Sequence, residues 1–161
     1  MKAAVTIRSF EDRDVDGVIA VARDLQRSES VLFSRMKPPE DIKADYVHHI
    51  CKDLEKHGGS FLIADMGGKV VGYCTLLTHC DSSDQADELL YTYAYVGDLA
   101  VAEQQRSNGI GAMLIDEAGR IAKAAGINWL RLSVLAPNAA ARRFYARQGF
   151  AEHLIEVEKA L

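Results

Sequence analysis

Two glycines lie close together in the segment RSNGIGAML, which runs from Arg106 to Leu114. A glycine inside a helix costs about 1 kcal/mol relative to alanine, so a pair of them at the start of a predicted helix needs an explanation. One explanation is packing, in which Gly111 lets the helix lie close to a strand. The other is chemical, because glycines leave the free N–H groups of a first helical turn accessible to an anion. The two glycines alone leave both explanations open.

The spacing of these glycines excludes two common phosphate-binding motifs. The P-loop requires a Lys followed by Ser or Thr after its second glycine, and the segment GIGAMLID has neither. The dinucleotide fingerprint requires a third glycine where this chain has Leu114. The remaining pattern, R-x-x-G-x-G, follows a strand-like run through a short polar loop. Such a turn directs several backbone N–H groups at one point and is a candidate anion site.

A second set of polar residues lies one predicted strand later. Asn138 begins a predicted short helix in the segment APNAAARRFYARQGF, and Tyr145 follows it seven positions on. Seven residues make about two helical turns, so the two side chains project from similar faces. An amide and a phenol beside a diphosphate cradle suit a long, polar cofactor that carries a thiol. Each residue also has a simpler role, since Asn138 can cap the helix and Tyr145 can pack beside Phe144.

Hydrophobic periodicity and turn residues predict the elements that position these side chains. The predicted strands cover residues 4–10, 60–65, 69–79, 89–101, 127–135 and 150–161. Four helices are predicted. The first begins near Asp12 or Asp14, and the second covers roughly residues 40–56. The third starts in the segment RSNGIGAML and ends at a C-cap at Gly126, and the fourth covers residues 138–148. Gly97 interrupts the 89–101 strand, where we expect a β-bulge. This order predicts an α/β fold with a partly antiparallel sheet and helices on both faces.

Length and composition restrict the class of protein. A chain of 161 residues, 48% hydrophobic and 26% charged, is typical of one globular domain, here residues 1–161. A formal net charge of -4 argues against nucleic acid as the main partner. No apolar run approaches the roughly 20 residues that span a bilayer, and the first residues lack the apolar core of a signal peptide. We therefore expect neither a membrane partner nor export.

The cysteines and histidines predict a cytoplasmic protein without a metal site. Cys51, Cys74 and Cys80 are odd in number and lack C-x-x-C spacing, which favours reduced thiols. Cys74 lies in an apolar run, where burial is favoured over catalysis. His48 and His49 are adjacent, and adjacent side chains diverge on a helix. The other histidines have no companions at ligand spacing, so we expect no metal.

Taken in order, three segments resemble the GNAT superfamily of N-acetyltransferases, which use acetyl-coenzyme A. These segments are VGDLAV as a splayed central strand, RSNGIGAML as the pyrophosphate loop and helix, and NAAARRFYARQGF as the closing segment. The resemblance is close from Tyr95 to the C-terminus, whereas the N-terminal half matches only in the order of its elements. It implies a GNAT-like mixed, mostly antiparallel central sheet with a splayed central strand and helices on both faces.

The resemblance also implies acetyl-CoA as cosubstrate and a set of residues that bind it. Backbone amides from Arg106 to Ala112 would hold the pyrophosphate, Ile110 would turn into the core, and both glycines would leave room for the ligand. The strand at Leu99 to Val101 would pair with the pantetheine arm, and one N–H, at Leu99 or Ala100, would stabilise the oxyanion. The full predicted set is Leu99, Ala100, Val101, Arg106, Ser107, Asn108, Gly109, Ile110, Gly111, Ala112, Asn138 and Tyr145.

Acetyl transfer to an amine requires the neutral amine, and a lysine-like amine with a pKa near 10.4 is neutral in only about one molecule in a thousand at pH 7. Asp98, just after the expected bulge, is the first candidate base. Alternatively, Asp98 only satisfies backbone donors there, and Glu103 and Glu88 are further candidates that are better explained as surface groups.

Tyr145 is the family's usual proton donor to the leaving thiolate, and a pKa of about 10 keeps it protonated. Ser133 stands where members that acetylate protein N-termini often carry a basic glutamate, which argues against that activity.

The acceptor is the least predictable part of the site. Tyr91, Tyr93 and Tyr95 alternate, so they face one side of their strand and are either core residues or the walls of a pocket for a cationic amine. The acidic segment 81–88 beside them is either part of that pocket or a solvated turn. The predicted function is transfer of acetyl from acetyl-CoA to a primary amine, small or lysine-like, by direct attack in a ternary complex.

Other functions remain as alternatives to this prediction. The main alternative is a non-catalytic acetyl-CoA-binding regulatory module, although such a module has no need for both Asp98 and Tyr145. A toxin that acetylates charged transfer RNA is disfavoured by the acidic balance. The expected partner is the amine acceptor, and a homodimer is possible because dimers are common in the family.

Overall fold

A computed structural model of the chain describes residues 4–82 and 89–161. Within those residues the strands are β1 Val5–Ser9, β2 Gly59–Met66, β3 Val70–Asp81, β4 Thr92–Val101 and β5 Leu130–Arg131. The helices are α1 Val15–Ser30, α2 Ala44–His57, α3 Ile110–Ala124 and α4 Ala139–Arg147. Short 3-10 turns at Asp12–Asp14, Pro39–Asp41 and Glu103–Gln105 precede α1, α2 and α3. The α/β character agrees with the prediction, and so does the element order as far as α4.

The strands form one sheet in the order β1-β2-β3-β4-β5. β1 to β4 pair antiparallel, and β5 pairs parallel to β4. The turn MGGK joins β2 to β3 as predicted, with Met66 N–H donating to the Lys69 carbonyl at 2.9 Å. The expectation of a mixed, mostly antiparallel sheet is therefore confirmed.

Helices cover both faces of the sheet, as the alternation along β2 shows. Leu62 and Ala64 pack in the core under α3, whereas Phe61 and Ile63 pack in the core under α1 and α2. Because successive side chains of a strand point to opposite faces, β2 contributes to both cores. Two separate apolar cores, one on each face of the sheet, thus hold α1 and α2 on one face and α3 and α4 on the other.

Of the two strand predictions in the C-terminal part, one is too long and the other is wrong. The 127–135 segment pairs only at Leu130–Arg131, and residues 150–161 have no regular secondary structure. In this last segment the apolar side chains of Leu154, Ile155 and Val157 are exposed. Alternation creates a strand only where a neighbouring strand supplies hydrogen bonds and a buried face, and this segment has neither.

Other boundaries differ by a few residues. α2 begins at Ala44 rather than near residue 40, because Pro38 and Pro39 are better suited to the short 3-10 turn that precedes it. β4 begins at Thr92 rather than at residue 89. Of the predicted acidic segment 81–88, residues 83–88 lie outside the described part of the chain, and so does Glu88.

Candidate active site

A β-bulge in β4 presents Asp98. Leu76 lies opposite Val96 and Cys74 lies opposite Leu99, so Gly97 and Asp98 together face the single residue Thr75. This confirms the bulge that the sequence predicts at Gly97.

Thr75 fixes the bulge through its hydroxyl. The Asp98 N–H donates to Thr75 Oγ1 at 2.8 Å. A Cβ atom on Gly97 would lie 2.8 Å from the same oxygen. Glycine is therefore required at position 97, because a side chain there would displace the acceptor of the Asp98 amide.

β4 and β5 separate after a short stretch of pairing. Within the described residues they pair only at Ala94 with Leu130 and at Tyr95 with Arg131, and Ala94 N–H donates to the Trp129 carbonyl at 2.8 Å. Beyond Tyr95, one edge of β4 faces the opening between the two strands. This is the splayed central strand that the sequence predicts.

The direction of the N–H groups decides which of them face this opening. Asp98 N–H donates to Thr75 and Ala102 N–H donates to the Val71 carbonyl at 2.9 Å, so both point toward β3. N–H direction alternates along a strand, so Ala100 N–H points to β3 as well. Leu99 and Val101 therefore direct their N–H groups into the opening, and Leu99 is favoured over Ala100 as the predicted carbonyl-binding donor.

The loop before α3 holds a run of free backbone donors. The first intrahelical bond runs from Met113 N–H to the Gly109 carbonyl at 3.1 Å. The amides of residues 107–112 have no acceptor among the described residues, as expected for a helix start without a side-chain cap. Ser107, with φ of 63°, and Gly109, with φ of 81°, turn the chain into this arrangement. The result is an anion-binding concavity of backbone N–H groups.

Arg106 differs from the prediction. Its N–H donates to the Glu103 carbonyl at 3.4 Å, so the free amides begin at Ser107. Its guanidinium donates to the Val101 carbonyl at 3.2 Å, to Ser28 Oγ at 2.9 Å and to the Asp24 carbonyl at 3.3 Å. Arg106 therefore ties the loop to α1 and to the end of β4 instead of facing a phosphate.

The two glycines of this loop have different roles. Nothing lies within 4 Å of a Cβ atom placed on Gly109, whereas one on Gly111 would lie 3.2 Å from Phe144 Cζ. Gly109 thus leaves open space, but Gly111 allows close packing of α3 on α4, and not on a strand as the packing explanation supposed. Ile110 is buried in the core as predicted. The expectation that both glycines leave room for a ligand therefore holds only for Gly109.

Tyr145 is on α4 and packs against the core that α3 covers. Asn138 Oδ1 accepts the Ala141 N–H at 3.1 Å and caps the helix. The Tyr145 ring packs edge-on against Phe144 and Phe150, at centroid distances of 5.2 and 5.7 Å. Burial, followed by the nearby Cys74, Glu29 and Asp98, raises the pKa of Tyr145 to about 12. Tyr145 therefore remains protonated at neutral pH and available as a donor.

Asp98 lies in a cluster of groups from α1, α2 and β3 that the sequence did not predict. Tyr46 Oη and Tyr73 Oη are 2.7 Å apart, and Tyr73 is wholly buried. Burial raises the pKa of Asp98, and the Tyr46 hydroxyl partly opposes that effect. Burial, and then the Asp98 charge, raises the pKa of Glu29 on the last turn of α1. The cluster combines two carboxyl groups of raised pKa with neutral phenols.

The rings of Tyr91 and Tyr93 are covered by a cation of the chain itself. The Arg131 guanidinium lies 5.0 Å from the Tyr91 ring centroid and 4.3 Å from that of Tyr93, and it donates to the Tyr91 hydroxyl. Tyr95 donates to Ser133 Oγ at 3.0 Å. Arg131 therefore takes the position over Tyr91 and Tyr93 that one of the two sequence-based alternatives gave to an acceptor amine.

The remaining polar candidates lie apart from this cluster. Glu103 is exposed in the turn after β4, as expected of a surface group. Cys74 is buried, and burial raises the pKa of its thiol to about 12, which agrees with its predicted role as a small hydrophobe.

Among residues 4–82 and 89–161, no group of three or more His, Cys, Asp or Glu side chains is arranged to hold a metal ion. No helix in the same residues is long and apolar enough to cross a bilayer.

Comparison with known proteins identifies the family. The sequence model of the acetyltransferase (GNAT) family matches residues 19–150, which is most of the chain. The chain belongs to the GNAT acetyltransferase family. The resemblance predicted from three short segments is therefore confirmed, and this GNAT domain is a transferase at the level of the family.

Curated relatives share parts of this GNAT sequence. It is 33% identical over 66 residues to the chloroplastic GCN5-related N-acetyltransferase 7 of Arabidopsis thaliana, covering 41% of this chain and 24% of that protein. It is 29% identical over 103 residues to an uncharacterised N-acetyltransferase of Chlorobaculum tepidum, covering 63% of this chain and 56% of the other. The chain thus spans about a quarter and just over half of the lengths of these relatives.

Solved structures share the fold of this GNAT domain. A tetramutant of the BH1408 protein of Bacillus halodurans superposes with a TM-score of 0.85 at 19% identity, over 97% of this chain and 99% of that chain. The PaiA N-acetyltransferase of Thermoplasma acidophilum, solved in complex with coenzyme A, gives a TM-score of 0.75 at 21% identity, over 95% and 93% of the two chains. These likenesses confirm the GNAT fold.

Proposed function

We propose that this GNAT protein is an N-acetyltransferase that transfers the acetyl group of acetyl-CoA to a primary amine, small or lysine-like, by direct attack in a ternary complex. The observation that carries the proposal is that the bulge of β4 presents a partly buried carboxyl group, Asp98, where β4 and β5 separate, while α4 carries a phenol, Tyr145, that stays protonated at neutral pH. One group can take a proton and the other can give one, which is what amine acetylation requires at its two ends.

The backbone donors fit acetyl-CoA. The free amides of residues 107–112 suit a diphosphate, which also gains from the positive end of the α3 dipole. Leu99 and Val101 N–H groups, on the open edge of β4, suit the amide-bearing pantetheine arm. We propose that Asn138 and Tyr145, at the start and near the end of α4, contact the same arm. When bound, acetyl-CoA supplies a thioester acetyl group and a thiolate leaving group.

Asp98 and Tyr145 divide the proton transfers between them. The acceptor nitrogen forms a bond to the acetyl carbon while the bond from that carbon to sulfur breaks. Asp98 takes one proton from the ammonium form of the acceptor, which leaves the neutral nitrogen able to attack. The second proton of the nitrogen leaves to solvent as the amide forms, and Tyr145 gives its proton to the sulfur. Burial raises the pKa of Asp98 and makes the carboxylate a stronger base than an exposed aspartate. Leu99 N–H, directed into the opening, donates to the carbonyl oxygen.

The charges near Asp98 indicate the kind of acceptor. Glu29 lies close enough to Asp98 for the Asp98 charge to raise its pKa, and both carboxyl groups lie on the face of the sheet that α1 and α2 cover. Two carboxyl groups beside the phenol of Tyr46 favour a cationic amine over an anionic or neutral one. We propose such an amine as the partner of this site, with no role for nucleic acid.

The test is an acetyl-transfer assay with a panel of amines. We expect thiol release from acetyl-CoA that depends on the amine, is fastest for polar cationic amines, and yields acetylated product by mass spectrometry. Omission of the amine gives the background rate. Tight binding of acetyl-CoA without release for any amine would instead indicate a non-catalytic acetyl-CoA-binding module. Failure to bind coenzyme A at millimolar concentration would reject both functions.

A further inference from the structure

The segment between β4 and α3 has little packing of its own. The turn Glu103–Gln105 contains no buried residue, and residues 106–109 after it are exposed. Ser107, with φ of 63°, is the one non-glycine residue with left-handed backbone in the described part of the chain. Such backbone is unfavourable for a residue with a Cβ atom, so it persists only where surrounding contacts hold it. Contacts from another element must therefore hold this segment.

Helix α1 supplies those contacts. One face of α1 is buried in the core, so the helix is a fixed support. Asp24 Oδ2 accepts the Glu103 N–H at 3.1 Å, where the turn begins. Arg106 follows the turn, and its guanidinium donates to Ser28 Oγ at 2.9 Å and to the Asp24 carbonyl at 3.3 Å. α1 thus holds both ends of the turn.

A third hydrogen bond places the Arg106 guanidinium at the end of the open edge of β4. Its Nε donates to the Val101 carbonyl at 3.2 Å. Ala102 N–H donates to the Val71 carbonyl and therefore points to β3. The C=O and N–H of one trans peptide point in opposite directions, so the Val101 carbonyl points away from β3, to the open edge. The backbone of Arg106 itself immediately precedes the free amides of residues 107–112.

We propose that Arg106 is a positioning residue, whose guanidinium joins α1 to the end of β4 and thereby holds the free amides of residues 107–112 in the arrangement that binds a diphosphate. The proposal rests on the proposed use of acetyl-CoA. It makes Ser28 and Asp24 on α1 contributors to cofactor affinity through Arg106. The guanidinium suits this role because its donors form a rigid planar fork that reaches three acceptors, whereas a lysine ammonium is a compact point charge.

The first test is the calorimetric affinity of coenzyme A for wild type and single variants. Arg106→Ala should weaken binding by about tenfold, and Ser28→Ala by about threefold, as expected for exposed hydrogen bonds to a charged group. Arg106→Lys keeps the charge without the fork and should lose nearly as much as Arg106→Ala. Two matched controls should bind as wild type: Arg120→Ala, which removes an exposed cation of α3, and Ser30→Ala, which removes another hydroxyl of α1.

The double variant Ser28→Ala/Arg106→Ala separates positioning from a direct contact with phosphate. If the two side chains act as one unit, the double variant should bind coenzyme A no more weakly than Arg106→Ala alone. Unchanged affinity in Ser28→Ala, or additive losses in the double variant, would overturn the proposal. Wild-type affinity in Arg106→Lys would overturn it as well, because charge alone would then be sufficient.

The last test needs no ligand. We expect NMR relaxation of the free protein to show greater backbone motion at residues 107–109 in Arg106→Ala and Ser28→Ala than in wild type and the two controls. Ser28→Ala gives this comparison even if Arg106→Ala does not fold, and unchanged motion in Ser28→Ala would contradict positioning. Wild type that does not bind coenzyme A at millimolar concentration would reject the proposed cofactor and this role together. Wild-type binding with equal affinity in every variant would reject the role of Arg106 alone.

Discussion

The two sides of the opening in β4 are built from different kinds of groups. The side proposed for the cofactor consists of backbone N–H groups, those of residues 107–112 together with Leu99 and Val101. The side proposed for the acceptor consists of side chains, namely Asp98, Glu29 and Tyr46, drawn from three separate elements. Backbone donors tolerate most substitutions that keep the chain in place, whereas the side-chain cluster loses its chemistry when one group is replaced.

The largest expected effect is on the acceptor side. Asp98→Asn removes the proposed base with little change in shape, so kcat should fall by about 10² to 10³, while the Kd for coenzyme A stays as in wild type. Steady-state kinetics and calorimetry measure the two quantities. Asp53→Asn, an exposed carboxylate on α2, is the matched control and should change neither. Native turnover by Asp98→Asn would contradict the proposed base.

Asp14 and Asp65 are a second pair of carboxylates, and their role is structural. Arg8 donates to Asp14 at 2.7 and 2.8 Å and to Asp65 at 2.9 and 2.8 Å. These hydrogen bonds lower the pKa of both carboxyl groups, opposite to the direction at Asp98. Asp14 is buried, so Arg8→Ala leaves a buried charge unpaired and should reduce the free energy of unfolding by about 3 kcal/mol. Activity per folded molecule should not change.

The pH dependence of stability separates these two carboxylate sets. Asp14 and Asp65 have lowered pKa values in the folded state, so their contribution is present above pH 3.8 and is lost as the pH falls below it. Asp98 and Glu29 have raised values, so ionising them costs stability as the pH rises above about 4. Urea unfolding below pH 4 should therefore show a steeper acid loss in wild type than in Arg8→Ala. Equal slopes would contradict the assignment of Arg8.

Tyr145→Phe tests the residue that is proposed both to bind the cofactor and to donate a proton to the leaving thiolate. Phenylalanine keeps the ring packing against Phe144 and Phe150 and removes only the hydroxyl, so we expect kcat to fall by about a hundredfold without loss of stability or of coenzyme A affinity. Tyr95→Phe, which loses a hydrogen bond to Ser133 instead, is the control. Turnover at the native rate in Tyr145→Phe would remove the proton-donor assignment.

The smallest expected effect is on the cofactor side. Gly109 and Gly126 both have positive φ, 81° and 78°, and open space around a Cβ atom. Alanine at either position should cost about 1 to 2 kcal/mol of stability, because left-handed backbone is unfavourable for a residue with a Cβ atom. Only Gly109→Ala also disturbs the free amides, so only it should weaken coenzyme A binding, by about tenfold or 1.4 kcal/mol. Calorimetry that shows equal affinity in both variants would contradict the role of this loop.

The free backbone donors of the proposed cofactor side could be predicted from the sequence because their signals are local. The glycine spacing, the helix that follows and the polar loop before it are all within one segment, and Gly97 marked the bulge. Two details required three-dimensional contacts: Arg106 bonds to Glu103 and Val101, and Gly111 packs on Phe144. Periodicity also predicted α1, α3 and the β2–β3 hairpin well, but not the ends of β5 or the segment 150–161, where pairing depends on a partner strand.

Of the proposed acceptor side, the sequence predicted Asp98 but missed Tyr46 and Glu29, because these two residues come from distant segments. Tyr46 belongs to the apolar stripe of α2. Its hydroxyl was the only feature of that stripe in the sequence that indicated a contact with another polar group. Glu29 carries no signal in the sequence, since a glutamate near a helix end is usually solvated. The alternation of Tyr91 and Tyr93 correctly placed them on one face, but it could not show that Arg131 covers their rings. The periodicity of a sequence predicts the face of a strand or helix on which a side chain lies, but it does not predict which residues from other elements contact that side chain.

The most direct test of the account is an amide NMR titration of the protein with coenzyme A. We expect large, saturable shifts at residues 107–112 and at Leu99 and Val101, and small ones at Ala100 and Ala102, whose N–H groups point to β3. Shifts confined to other parts of the chain, or none at millimolar coenzyme A in folded protein, would show that these free backbone donors do not bind the cofactor.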